Sequence, residues 1–165
     1  MLGAFAYWIH ATALGRAAGG GVPWLGPACL TLHFVGLALL IGCVGAFDLR
    51  LLGVARGLPV GPLRGLMPWA VLGFSINLAT GLILFAGNPF QYIDNLAFWL
   101  KMLFIVLAGI NAVLYYLTGL RRRVELLAAG QHAPVLAKVF AAASLFLWVG
   151  VIYWGRMLLI IGNFL

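Results

Sequence analysis

The sequence predicts an all-α fold: an integral membrane four-helix bundle with a short N-terminal interfacial or re-entrant helix. Three observations carry that expectation. Only 8% of the residues are charged and 65% are hydrophobic, against roughly 25% charged in a soluble domain, so polar side chains are too few to cover a surface in water. Several apolar runs approach or exceed the roughly 20 residues a helix needs to cross a bilayer. Between those runs lie short stretches rich in Pro, Gly and Arg, which break helices without separating domains. A single transmembrane domain over residues 1–165 is therefore expected.

The first segment, residues 1–22, contains "MLGAFAYWIHATALG". It is too short for a comfortable span, and Arg16 follows it where a signal peptide would carry its positive charge in front. It reads as a helix in the outer interface, with His10 near the external mouth of the bundle. Pro23 and Pro27 then suit a helix entrance, because a first-turn proline gives up an amide that has no partner there.

Four spans follow, over about 27–47, 67–86, 96–118 and 135–161. "ARGLPVGPLRG" (55–65), "GNPFQYIDN" (87–95) and "RRRVELLAAGQHAP" (121–134) read as the three loops. Small residues within the spans (Gly36, Gly42, Gly45, Gly73, Gly81, Ala108 and Gly109) let helices approach closely. Trp24, Trp69 and Trp99 fall at span ends, where interfacial anchors belong.

Ten Lys and Arg against three acids give a net charge of +7. The basic residues sit mostly between apolar runs, which makes them topology determinants and argues against a nucleic-acid partner. Arg50, Arg56 and Arg64 flank loop one; Arg121, Arg122, Arg123 and Lys138 flank loop three; loop two carries only Asp94. The positive-inside rule puts loops one and three in the cytoplasm and both termini on the periplasmic side of a bacterial inner membrane. Cys29 and Cys43 lie about 21 Å apart on one helix at 1.5 Å per residue. They cannot pair, and they read as small packing residues.

Ionisable residues inside the apolar layer cost about 2.5–3.5 kcal/mol at mid-plane and face a partner or a cavity. At the helical rise, His33 lies about 9 Å below Pro27, Lys101 about 7 Å below Leu96, Arg156 about 7 Å short of Ile161 and Asn77 about 13 Å from Ala86. One residue from each helix thus falls in the outer half of the layer, with no carboxylate at that depth. Deeper, Asp48 and Arg50 mark the cytoplasmic end of the first span and are expected to pair locally. Asn111 is expected to bridge helices, and His132 to be solvated.

Lys and Arg serve a free divalent metal poorly. Haem b fits the combination better: His33 supplies iron, apolar helices hold the ring, and Lys101 and Arg156 meet the propionates. A sixth ligand would come from Met102, Met157, Lys101 or His10, or the position would stay open. A quinone also fits, with His33 or Lys101 bonded to a carbonyl. Three functions compete: a haem-b protein in electron transfer or porphyrin oxidation, a non-catalytic accessory subunit of a larger membrane complex, and a small anion- or ion-handling protein. In each, lipid is the first partner, and a homo-oligomer or larger complex could complete the site.

"LHFVGLALLIGCVGAFDLRLLG", "PWAVLGFSINLATGLILF", "FWLKMLFIVLAGINAVLYY" and "SLFLWVGVIYWGR" resemble an uncharacterised family of small bacterial inner-membrane proteins. His33, Asp48-Leu49-Arg50, Asn95, Lys101, Asn111 and Gly155-Arg156 carry the likeness. More distantly, a histidine on the first span and Trp-Leu-Lys on the third look like the four-helix core of copper resistance protein D and of HemJ-type protoporphyrinogen oxidase. The second likeness implies haem b and makes His33 and Lys101 the haem-site pair.

Overall fold

The computed structural model describes residues 2–54 and 56–161, and no strand occurs among them. The chain runs through α1 (Leu2–His10), α2 (Ala13–Arg16), a π turn (Ala17–Gly21) and the long α3 (Leu25–Leu52). Then come α4 (Val60–Leu63), a 3₁₀ turn (Arg64–Leu66), α5 (Met67–Gly87), α6 (Pro89–Ile93), α7 (Leu96–Leu117), α8 (Leu120–Glu125) and α9 (Val135–Ile161). Four helical stretches, ending in α3, α5, α7 and α9, are long and apolar enough to cross a membrane. Their outward faces leave large apolar side chains such as Phe34, Leu82, Val106 and Val149 exposed, as lipid-facing residues should be. Trp24, Trp69 and Trp99 are exposed near helix starts.

The first span is longer than its hydropathy suggests. The helix runs past the apolar stretch that ends near Phe47, through Asp48-Leu49-Arg50 to Leu52. Gly53 stops it by adopting the left-handed conformation (φ 99°), a geometry glycine reaches without a Cβ penalty. Its N–H donates to Leu49 O and Arg50 O, and the Val54 N–H also donates to Leu49 O.

The expected Asp48–Arg50 pair is overturned. Residues i and i+2 point to different sides of a helix, and these two do so here. Asp48 faces the space between the spans. Arg50, 1% exposed, turns into the loops, where its guanidinium donates to the carbonyls of Leu58, Ala128 and Gln131. Loops one and three therefore share one end of the bundle, called here the basic end. Two backbone bonds stitch them further, Gly130 N to Arg56 O (2.8 Å) and Val60 N to Leu127 O (3.2 Å). Leu51, Val60, Val124, Ala133, Ala137 and Ala141 pack around this junction as an apolar core. Both loops thus contain short helices, α4 and α8, whose reason to form is tertiary packing.

At the opposite end the N-terminal segment folds as a cap. Thr12 Oγ1 accepts from Gly15 N (3.0 Å) and donates to Ile9 O (2.6 Å), turning α1 into α2. α1 rests on α6, while α2 and the π turn lie on the end of α5. Gly87 and Ala18 meet so closely that a Cβ on Gly87 would fall 2.8 Å from the Ala18 carbonyl carbon. His10 is wedged there beside Gly19.

The four long helices form two intimate pairs, α3 with α5 and α7 with α9, joined mainly through α3 and α9. Different devices hold the pairs. In the first, the backbones of α3 and α5 touch: a Cβ on Gly73 would come 2.7 Å from Gly36 O and Leu40 N. In the second, side-chain amides reach backbone carbonyls across the pair, Asn95 Nδ2 to Leu158 O and Asn111 Nδ2 to Phe140 O, each 3.1 Å. Asn111 thereby bridges helices as expected. Asn95 does two jobs, since its Oδ1 also accepts from Ala97 N (2.9 Å) to cap α7. α5 and α7 barely meet except near the cap, where the Phe85 and Phe98 rings stack at 5.7 Å.

Two substitutions test this frame in detergent-purified protein. Arg50→Ala leaves several buried carbonyls without a donor, and thermal melting is expected to show a loss of about 3 kcal/mol. Arg64→Ala, which removes only an exposed ion pair with Glu125, is expected to change little. Gly73→Ala forces α3 and α5 apart and is expected to cost about 1–3 kcal/mol by overpacking. Gly42→Ala is the control, because open space surrounds that position.

Candidate functional site

His33 sits in the third turn of α3 and reaches across the first pair. Its Nδ1 lies 2.9 Å from Thr80 Oγ1 on α5. The Thr80 hydroxyl is also in bonding reach of Ile76 O at 2.7 Å. When its proton goes to that carbonyl, Thr80 accepts from His33 Nδ1, and in that tautomer Nε2 keeps its lone pair. Thr80 is 5% exposed, so the bond is shielded from competing water. Gly81 makes room for the ring, whose Cε1 would lie 3.5 Å from a Cβ there.

The other expected members take different places. Asn77 lies one turn before Thr80 on the same face, and its backbone carbonyl is beside the His33 ring. Its side-chain amide donates to Gly73 O (3.1 Å) and packs over Gly36, so it shapes the α3–α5 crossing. Lys101 lays its side chain along Gly155 of α9, with Nζ 3.7 Å from where a Cβ would stand. Arg156 follows Gly155 by one residue, a rotation of about 100° on a helix. It is accordingly exposed, on a different side from the one that meets Lys101. His33 and Thr80 therefore meet across the α3–α5 pair, with Asn77 one turn before Thr80, while Lys101 packs on α9 and Arg156 stands outside them.

A second feature lies in the basic-end half. A cavity of about 630 Å³ opens where α5 and α7 part. Phe47, Phe74, Phe140 and Trp148 give it aromatic walls; Asp48, Asn111, Tyr115, Tyr116 and Ser144 are polar side chains along it; Arg64, Arg121 and Glu125 line it at the loop end. None of His33, Asn77, Lys101 or Arg156 lines it. The sequence offered one signal for it, an acid at the end of an apolar run, and that signal read as a helix terminus.

Outside the spans, Arg121, Glu125 and Tyr92 have perturbed acidities. A hydrogen bond from Arg121 (2.6 Å) holds the Glu125 carboxyl below its ordinary value. Burial pushes the Tyr92 phenol up. Cys29 and Cys43 are buried free thiols, in keeping with a packing role, and His132 is exposed. Among the described residues no three His, Cys, Asp or Glu side chains gather closely enough to hold a bare metal ion. No family model, no curated protein and no solved structure matches the chain.

Proposed function

We propose that this chain is a haem-b protein of the bacterial inner membrane, acting in electron transfer or porphyrin oxidation, with His33 as the iron ligand. One observation carries the proposal: His33 Nδ1 is held 2.9 Å from a Thr80 hydroxyl that can pass its own proton to Ile76 O, the tautomer in which Nε2 is an available donor. A ligating histidine needs that arrangement, one nitrogen held by an oxygen and the other free for metal. The residue types at this depth also fit, since Lys101 is a basic group and has no ion pair among the described residues. Haem b, when bound, supplies reversible one-electron chemistry.

The protein's own groups have distinct tasks in this reading. Thr80 orients the imidazole and increases its donor strength. Lys101, laid along Gly155, neutralises a carboxylate or holds a proton near His33. Arg156, exposed beside it, suits a propionate at the lipid–water edge. The ring would lie against helix faces near the cap, because the 630 Å³ cavity is in the other half. Both basic loops lie at one end, so the positive-inside rule gives that end to the cytoplasm and both termini to the periplasm.

A reduced-minus-oxidised visible spectrum tests the haem directly, on protein purified in mild detergent from cells supplied with haem precursor. A Soret band and a haem-b α-band are expected, and both are expected to vanish in His33→Ala. A featureless spectrum from the wild type overturns the proposal. Stoichiometric partners without a chromophore would then support an accessory subunit of a larger complex.

Thr80→Val tests the supporting bond. Haem affinity is expected to fall about 10–100-fold, and the midpoint potential of residual haem to rise as the imidazole becomes a weaker donor. Thr80→Ser is expected to restore both. A simple packing defect would not move the potential.

A further inference from the structure

We propose that the basic-end cavity is a binding site for a lipid-soluble quinol. Its size of about 630 Å³ falls within the range of pockets that enclose small organic molecules. It lies between two spans that barely touch in that half. Phe47, Phe74, Phe140 and Trp148 make its walls suited to a flat ring.

The decisive feature is a pair of unmet polar atoms. Asp48 Oδ2 and the Tyr115 hydroxyl are both buried, and among the described residues neither has a hydrogen-bond partner. Both residues line the cavity, with these two atoms set in its wall, so a ligand meets them through a small turn of each side chain. Asp48 is only 5% exposed, so bulk water does not serve it. Groups buried without partners are uncommon in native proteins and call for an explanation. The neighbours do not provide one. Ser144 is within reach of the Asp48 carboxyl, yet Oδ2 stays unmatched. The Asn111 amide is committed to Phe140 O. Tyr115 is held in place by the edges of Phe47 (6.3 Å) and Phe140 (6.0 Å), contacts that leave its hydroxyl unbonded.

The missing ligand therefore has an apolar aromatic body and a polar group that both donates and accepts. A phenolic hydroxyl does this: it donates to Asp48 Oδ2 and accepts from Tyr115 Oη–H. Alternatives fit less well. A lipophilic cation would satisfy Asp48 but not Tyr115, and would face Arg64 and Arg121 at the loop end. An anion would meet those arginines but oppose Asp48. A quinone, which only accepts, would satisfy Tyr115 and would be met by Asp48 only through a carboxyl proton, so the reduced form is the one that serves both groups when the carboxyl is ionised. The proposal concerns binding alone and is independent of haem at His33.

The test uses a decyl-substituted benzoquinol, titrated into the detergent-purified full chain by calorimetry with a detergent-only blank. Saturable binding is expected, with Kd raised at least tenfold by Tyr115→Phe and by Asp48→Leu. Each substitution removes an unmatched buried atom, so both variants are expected to melt no lower than the wild type, which separates lost binding from lost fold. Absence of saturable binding to the wild type overturns the proposal, as does an unchanged Kd in both variants. So does Asp48-dependent uptake of tetraphenylphosphonium that the quinol fails to displace. The titration is read with or without haem, so its failure is distinct from a featureless haem spectrum.

Discussion

A buried cation without an acid beside it organises the basic end. Arg50 is 1% exposed, and its ligands are carbonyl oxygens from loop one (Leu58) and loop three (Ala128 and Gln131). Removing a guanidinium from water costs several kcal/mol, and the cost is offset only when its donors are met by well-placed acceptors. Those acceptors exist only if both loops close over the end of α3. Closure of the loops, extension of the first span to Leu52 and formation of α4 and α8 are thus parts of one event. The Arg64–Glu125 and Arg121–Glu125 pairs lie nearby but are more exposed, so they can trim the junction without defining it.

Once the basic end is tied, the remaining question is how the helices above it stay together in a solvent as apolar as their side chains. Lipid gives no hydrophobic incentive for helices to associate, so close packing and hydrogen bonds must do it. The α3–α5 pair uses backbone contact at Gly36 and Gly73. The α7–α9 pair uses the amides of Asn95 and Asn111, spaced 16 residues apart on α7, to grip α9 near both ends. Neither device operates between α5 and α7. That seam is closed only by the aromatic contact near the cap, and below it the cavity opens.

The spans were legible because hydropathy depends on local composition, and their depths followed from the helical rise. His33 and Lys101 could therefore be placed at one level, although His33 bonds to α5 and Lys101 packs on α9. What failed was azimuth. Asp48 and Arg50 are two residues apart, and helix geometry alone says that they diverge, but their opposite charges suggested a pair. Gly155 and Arg156 repeat the lesson, since the glycine faces Lys101 and the arginine does not. Thr80 gave no warning in the sequence, because a lone threonine in an apolar run is unremarkable until a histidine on another helix stands opposite. The cavity was less visible still, being assembled from four helices that each supply a few residues.

His33 and Asp48 show how differently a polar group can sit inside a helix bundle. At His33 one nitrogen is held by the Thr80 hydroxyl. Asp48 and Tyr115 line a space large enough to hold a molecule, and among the described residues each has a buried polar atom without a partner. A bundle selected only for stability would replace both groups with apolar side chains of similar size, since an unmatched buried atom weakens the fold. Thr80, by contrast, already bonds to its own helix and needs no histidine for its own satisfaction. The His33–Thr80 bond therefore serves the imidazole. A histidine held by a hydroxyl that does not need it, and two polar atoms unmatched among the described residues at the opposite end, are the places where packing alone does not account for the side chains.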